Sequence, residues 1–208
     1  SWFALTKGAG LSQKSDPGSL GSFGHGSKAP FTMSNLRSVF YYTEIGSDAH
    51  STVRFQGKSI LQSHKDSSTG QVTQGTGFYG YASGCRALEN ENIPRWPGKL
   101  REKHTLKRGT SIYVPATDYS VDLYPETAIT ILANFYYAIH IGLLEVQIGD
   151  KYTIDSTTAP GLFDSLKETI DSDLEEIDVE YIKECFETVE TIVHPDERSD
   201  QEIPSIGL

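Results

Sequence analysis

Cysteine is scarce. Cys85 and Cys185 are the only two, far apart in the chain and at no metal-ligand spacing, which excludes a disulfide framework and a zinc knuckle and predicts a reducing, cytoplasmic setting. Histidine is also thin: none of the six forms an i, i+4 pair or a Glu-x-x-His motif, so no metal site is expected. Basic residues are outnumbered, 18 Lys and Arg against 28 Asp and Glu, and a net charge of -10 argues against a protein whose main work is neutralising nucleic-acid phosphate. A long membrane-type apolar run is missing as well. The one stretch that invites such a reading, 127–144, lacks Asp, Glu, Lys and Arg but contains Asn134, Tyr136, Tyr137 and His140 without basic flanks, so a buried helix is expected there. The opening Trp2-Phe3-Ala4-Leu5 has no basic segment leading into an apolar one, so no signal peptide is expected.

What is present describes a folding chain. With 37% hydrophobic and 22% charged residues, the 208 residues suffice for one domain, or one domain with an appendage, around a real core. The acidity is local: between Asp164 and Glu202 there are 15 acidic residues against Lys167, Lys183 and Arg198, a balance of -12 that leaves +2 for everything before it. The near-neutral body therefore keeps nucleotide or nucleic acid open as partners.

Three segments read as strands of an antiparallel meander: Ser38 to Ile45, Ser51 to Ser63 and Gln71 to Tyr81, all rich in aromatic and β-branched residues. Turn residues are expected at Gly46-Ser47-Asp48, at Gly57-Lys58 and from Asp66 to Gly70. A polar stretch with Pro94 and Pro97 leads to a fourth strand over 109–115. The cations Arg95, Lys99, Arg101, Lys103, Lys107 and Arg108 form the one basic cluster, read as a solvated loop, with nucleic acid or the acidic tail as functional alternatives. From Pro125 to Ile141, Ile129, Leu132, Phe135, Tyr136 and Ile139 recur at helical steps, and Gly142 suits the helix end. A hairpin, Leu143 to Ile148 and Lys151 to Asp155 about Gly149-Asp150, follows, then amphipathic helices near 161–170 and 178–193. In Gly75-Thr76-Gly77-Phe78-Tyr79-Gly80-Tyr81, alternating glycine and aromatics predict a strand with bulges or close packing, with binding as the alternative.

The most informative residues are Leu20-Gly21-Ser22-Phe23-Gly24-His25-Gly26-Ser27-Lys28-Ala29, preceded by a glycine- and serine-rich stretch that cannot be a stable helix or central strand. Glycines at this spacing, ahead of a short helix expected from Phe31 to Leu36, let backbone N–H groups converge on a phosphate. The pattern is neither a Walker A loop nor a Rossmann fingerprint, and by local pattern alone a flexible glycine–serine linker is the alternative.

Gly21-x-x-Gly24-x-Gly26-x-Lys28-Ala29 resembles the second glycine box of the GHKL ATPases, closest to their chaperone-like and MORC-like branches. The segment Trp2-Phe3-Ala4-Leu5-Thr6-Lys7-Gly8, with Ser12 and Lys14 after it, is similar to what that family places before its ATP lid. Lys107-Arg108-Gly109-Thr110-Ser111-Ile112 resembles the strand closing its adenine pocket. The resemblance covers about residues 1 to 117 and implies a Bergerat-type α/β sandwich of a mixed, largely antiparallel sheet with helices. It implies ATP and Mg²⁺ as ligands, with Gly21, Ser22, Phe23, Gly24, His25 and Gly26 around the phosphates, Lys28 adding charge and Thr110 beside the adenine. Residues 7–20, with Gly8, Gly10, Ser12 and Lys14, would form the lid, 21–29 the glycine box and 109–115 the closing strand. The family's catalytic Glu, Mg²⁺-binding Asn and adenine-reading Asp have no match in the chain and are expected upstream of Ser1, so the chain reads as a fragment of a larger ATPase. Asn134-Phe135-Tyr136-Tyr137-Ala138 imitates the Mg²⁺-binding box, with Tyr137 where an Asp and Thr130 where a Glu would stand; Asn134 is read as a buried polar residue of a core helix.

Residues 118–160 are then the start of a transducer-like element and 161–208 an acidic helical arm. The family's habits add dimerisation on binding ATP, and a protein client or DNA as the larger protein's target. A different class of reading is a non-enzymatic β-rich interaction module whose acidic arm docks a basic partner.

Overall fold

A computed structural model describes residues 2–7, 25–47, 50–102, 108–167, 184, 188, 189 and 191. Two compact units divide the chain, Ser1–Asp118 and Tyr119–Leu208. The whole is mixed α and β, built on antiparallel pairing.

The first unit holds α1 (Trp2–Thr6), α2 (His25–Met33), β1 (Ser38–Ser47), β2 (His50–Ile60), β3 (Thr76–Tyr79), β4 (Leu88–Glu89), α3 (Arg95–Glu102) and β5 (Gly109–Tyr113). The strands form a five-stranded sheet in the order β3-β2-β1-β5, with β4 also pairing β2. Each pairing described is antiparallel, with Tyr41 opposite Gln56 and Ile112, Gly57 opposite Tyr79, and Arg54 opposite Glu89.

Side-chain alternation gives the sheet two different faces. Phe40, Tyr42, Phe55, Tyr79 and Tyr113 lie on one. Phe40 and Phe55 stack at 5.7 Å, Tyr79 meets both edge-on, and Trp96 of α3 stands edge-on to Phe40, Phe55 and Tyr113 at 5.4–5.6 Å. Edge-to-face pairs of this kind contribute about 0.5–1.5 kcal/mol each beyond the area they bury. Val39, Tyr41 and Thr43 lie on the other face, where Phe31 of α2 and Trp2 of α1 pack against Val39 and Tyr41.

Several expectations need correction. Gly57-Lys58 is no turn: both residues sit mid-strand in β2, and Gly57 lacks a side chain because the Phe40 ring and Tyr79 occupy that space, its missing Cβ falling 2.7 Å from Phe40 Cε1. The basic stretch starting at Arg95 is helical to Glu102, since Pro97 stands in the first turn, where its missing N–H costs nothing. Arg101 is buried there, donating to Ser111 Oγ at 2.8 Å and lying over the Tyr42 ring. The third strand is shorter than 71–81: before Thr76 the chain folds back on itself instead of on β2, with Val72 bridging Lys65 and the Thr73 N–H donating to the His64 carbonyl, about a turn at Asp66 whose carboxylate accepts from the Ser68 backbone N–H at 2.8 Å. The Ser68 and Thr69 groups bonded to that carboxylate hold its pKa down at about 2. In the glycine–aromatic segment the close packing holds at two glycines, since a Cβ at Gly75 would strike the Leu61 carbonyl and one at Gly80 the Arg86 carbonyl, but not at Gly77, where a Cβ would meet nothing within 4 Å.

The second unit holds α4 (Tyr124–His140), the hairpin β6 (Val146–Ile148) and β7 (Tyr152–Ile154), and α5 (Ala159–Lys167). Ala128, Ile129, Leu132, Tyr136 and Ile139 bury one stripe of α4 against Ile148, Ile154, Ala159 and Leu166. Phe135, expected in that stripe, is half exposed, because the step from Leu132 to Tyr136 turns it away. Gly142, at φ 72°, ends α4: its N–H donates to the Ile139 carbonyl at 2.9 Å and the Leu143 N–H to Ala138 at 2.8 Å, the two bonds of a Schellman cap. Among the described residues, no helix is long and apolar enough to cross a membrane.

Candidate functional site

The predicted phosphate-binding residues fall at and before α2. Gly21, Ser22, Phe23 and Gly24 lie outside the described residues, as do the lid positions Gly8, Gly10, Ser12 and Lys14. His25 opens α2, so the helix begins within the glycine box rather than after Pro30. Pro30 has no N–H to give the Gly26 carbonyl one turn back, which loosens α2 between its first turn and its second. The helix stops at Met33 because Ser34 is drawn toward β5. Its buried hydroxyl donates to the Pro115 carbonyl at 2.8 Å and accepts from the Ser38 N–H at 3.3 Å, while Arg37 turns the chain at φ 49° into β1.

In the first turn Gly26 is exposed and nothing lies within 4 Å of where its Cβ would be, so an incoming group can approach the backbone closely. The Lys28 side chain is exposed nearby. Phe31 anchors the other end of α2 on Val39 and Tyr41.

Thr110 lies in β5 opposite Thr43 of β1, and their hydroxyls share a hydrogen bond of 2.9 Å. The register puts both on the face that α2 covers: Tyr41, which touches α2, is two residues from Thr43 and opposite Ile112. Thr43 is nearly buried, Thr110 exposed, and Ile112 beside them 46% exposed, so this corner presents an apolar side chain beside an exposed hydroxyl. Burial pushes the Tyr41 phenol above its ordinary pKa, which keeps it neutral under the helix. Thr43 was not singled out from sequence; only strand register reveals it as the partner of Thr110.

Asn134 requires correction. It is exposed, and its Nδ2 donates to the Thr130 carbonyl one turn earlier at 2.8 Å, a bond internal to α4. Its helix carries the apolar stripe on the other side, so the amide faces solvent. Among the described residues, no three His, Cys, Asp or Glu side chains gather as a metal-binding group.

The residues at α2 and β5 are compatible with a nucleotide: an open backbone and a cation for phosphate, an apolar corner with a hydroxyl for a base. Mg²⁺ is less well served, since α2 and β5 contain no Asp or Glu. No protein-family model, curated protein or solved structure matches the chain.

Proposed function

We propose that the chain is the nucleotide-binding module of a GHKL-type ATPase, holding ATP on the sheet face covered by α2. One observation carries this reading. α2, through Phe31 on Val39 and Tyr41, packs on the same face of one antiparallel sheet as the Thr43–Thr110 hydroxyl pair, and the head of that helix, with Gly26 and Lys28, is exposed.

In this reading the backbone N–H groups at the start of α2 and in the glycines before it bind the phosphates, since a helix N-terminus carries unpaired donors and partial positive charge. Lys28 supplies a counter-charge and Thr110 a hydroxyl to the edge of the base. Bound Mg²⁺ would neutralise phosphate charge, and neither its ligands nor a water-activating base is assigned to α2 or β5. Binding with lid closure is thus the step given to these residues, and it drives a conformational change in a larger protein.

Calorimetric titration of the chain with ADP and a non-hydrolysable ATP analogue, with and without Mg²⁺, tests the reading. Saturable binding is expected. Gly24→Ala combined with Lys28→Ala should weaken it about tenfold or more, the size of a lost charge-assisted hydrogen bond. Tight Mg²⁺-dependent binding that survives both substitutions would overturn the assignment.

A further inference from the structure

At the sheet edge away from β5, a cleft of about 240 Å³ opens between α1 and the β2–β4 pair. Its charge is unbalanced. Among the described residues, Lys7, Arg54 and Arg86 line it with one carboxylate, Glu89, and Glu89 is engaged by Arg54 at 2.9 Å. Lys7 donates to the Gly84 carbonyl at 3.1 Å and Arg86 lies over the Tyr81 ring at 5.7 Å; these contacts position both cations and neutralise neither.

The cleft also contains an unmet acceptor. Gln56 is fully buried and lines the cleft; its Nε2 donates to the Cys85 carbonyl at 2.6 Å, which fixes the amide, and its Oε1 has no hydrogen-bond partner among the described residues. Buried polar atoms in folded proteins are nearly always paired, so this oxygen calls for a donor that the described residues do not supply. Trp2 and Tyr81 add aromatic surface to the walls.

We infer that this cleft is a second binding site, for a small phosphorylated molecule bearing hydroxyl groups, of the sugar-phosphate class. A phosphate dianion answers the two uncompensated cations, with the Arg86 guanidinium suited to paired contacts with its oxygens. A ligand hydroxyl answers Gln56 Oε1, and the C–H faces of a sugar lie against the aromatic walls. The volume is below the roughly 300–1,000 Å³ of pockets for drug-sized ligands, so the occupant is smaller than a nucleoside triphosphate. The site is independent of the nucleotide reading and lies at the opposite edge of the sheet from Thr110.

Calorimetry on the full chain with ribose 5-phosphate, ribose, inorganic phosphate and ADP decides it. Ribose 5-phosphate is expected to bind at least tenfold more tightly than ribose or inorganic phosphate. Lys7→Ala and Arg86→Ala, checked for folding by circular dichroism, should each weaken it tenfold or more. Gln56→Met should remove its advantage over inorganic phosphate, and Lys28→Ala should leave its binding unchanged. Absence of saturable binding overturns the inference, as does equal binding of inorganic phosphate, or displacement of bound ribose 5-phosphate by ADP. Binding that persists in Lys7→Ala and Arg86→Ala but is lost in Lys28→Ala moves the ligand to α2 and overturns it equally. Should Gln56→Met fail to fold, the two surface substitutions decide alone.

Discussion

A single hydrogen atom at Gly57 permits the aromatic layer of the first unit, because the Phe40 ring and Tyr79 lie where any side chain would begin. Gly57→Ala is therefore expected to destabilise that unit by about 1–3 kcal/mol, the usual cost of overpacking, in urea unfolding followed by tryptophan fluorescence. Gly26→Ala, in contrast, meets open space and a helical backbone, so it should leave stability unchanged or slightly raised while testing close approach of a phosphate. The tyrosines of the sheet add a pH signature. Burial pushes Tyr41, Tyr42 and Tyr113 above the ordinary phenol value, with Glu44 contributing at Tyr42, so the folded state holds these protons more tightly than the unfolded one. Stability should accordingly fall as pH rises above about 10, with phenolate absorbance appearing as the chain unfolds. Such details are poorly legible in sequence. Gly57 has the composition of a turn, and Asn134 the look of a buried polar residue, until strand register and helix phase are known.

Elements were more legible than their ends. The meander, the strand at Gly109, α4 and the hairpin after it all follow from alternation or helical spacing, signals that local sequence carries directly. α3 was hidden by Pro94 and Pro97, residues that mark loops in general and helix starts only when the next turn finds something to pack on, here the Trp96 and Arg101 contacts. α5 illustrates a connection held by one carboxylate. Asp155 accepts from the backbone N–H groups of Thr157 and Thr158 at 2.8 and 2.9 Å and from the Thr157 hydroxyl, and the Thr157 hydroxyl bond leads in holding its pKa down at about 2. Its folded pKa lies below the unfolded value of 3.8, so its contribution is complete above about pH 4 and disappears as pH falls through 2. Asp155→Asn should flatten the acid limb of the helical circular-dichroism signal over that window. Asp66, shifted likewise, supplies a second acid-labile turn in the first unit.

At the scale of the whole molecule, each unit has its own core, one built on the sheet and one on α4. Leu132→Ala, at a fully buried position of α4, is expected to destabilise the second unit by about 2–5 kcal/mol in thermal unfolding read by helical ellipticity. The fluorescence transition of Trp2 and Trp96, both in the first unit, should stay in place. Of the candidate site, the residue types were legible in sequence and their juxtaposition was not: nothing local to Thr110 announces that its strand pairs with β1, far earlier in the chain. That pairing has a consequence in time. β1 meets β2 across a short connection and β5 only after the chain between has been gathered in, so the β1–β2 hairpin can form early while β5 docks late, after the larger loop-closure entropy has been overcome. Translated from its N-terminus, the chain would expose the Thr43 side of β1 without its neighbour until Tyr113 had emerged.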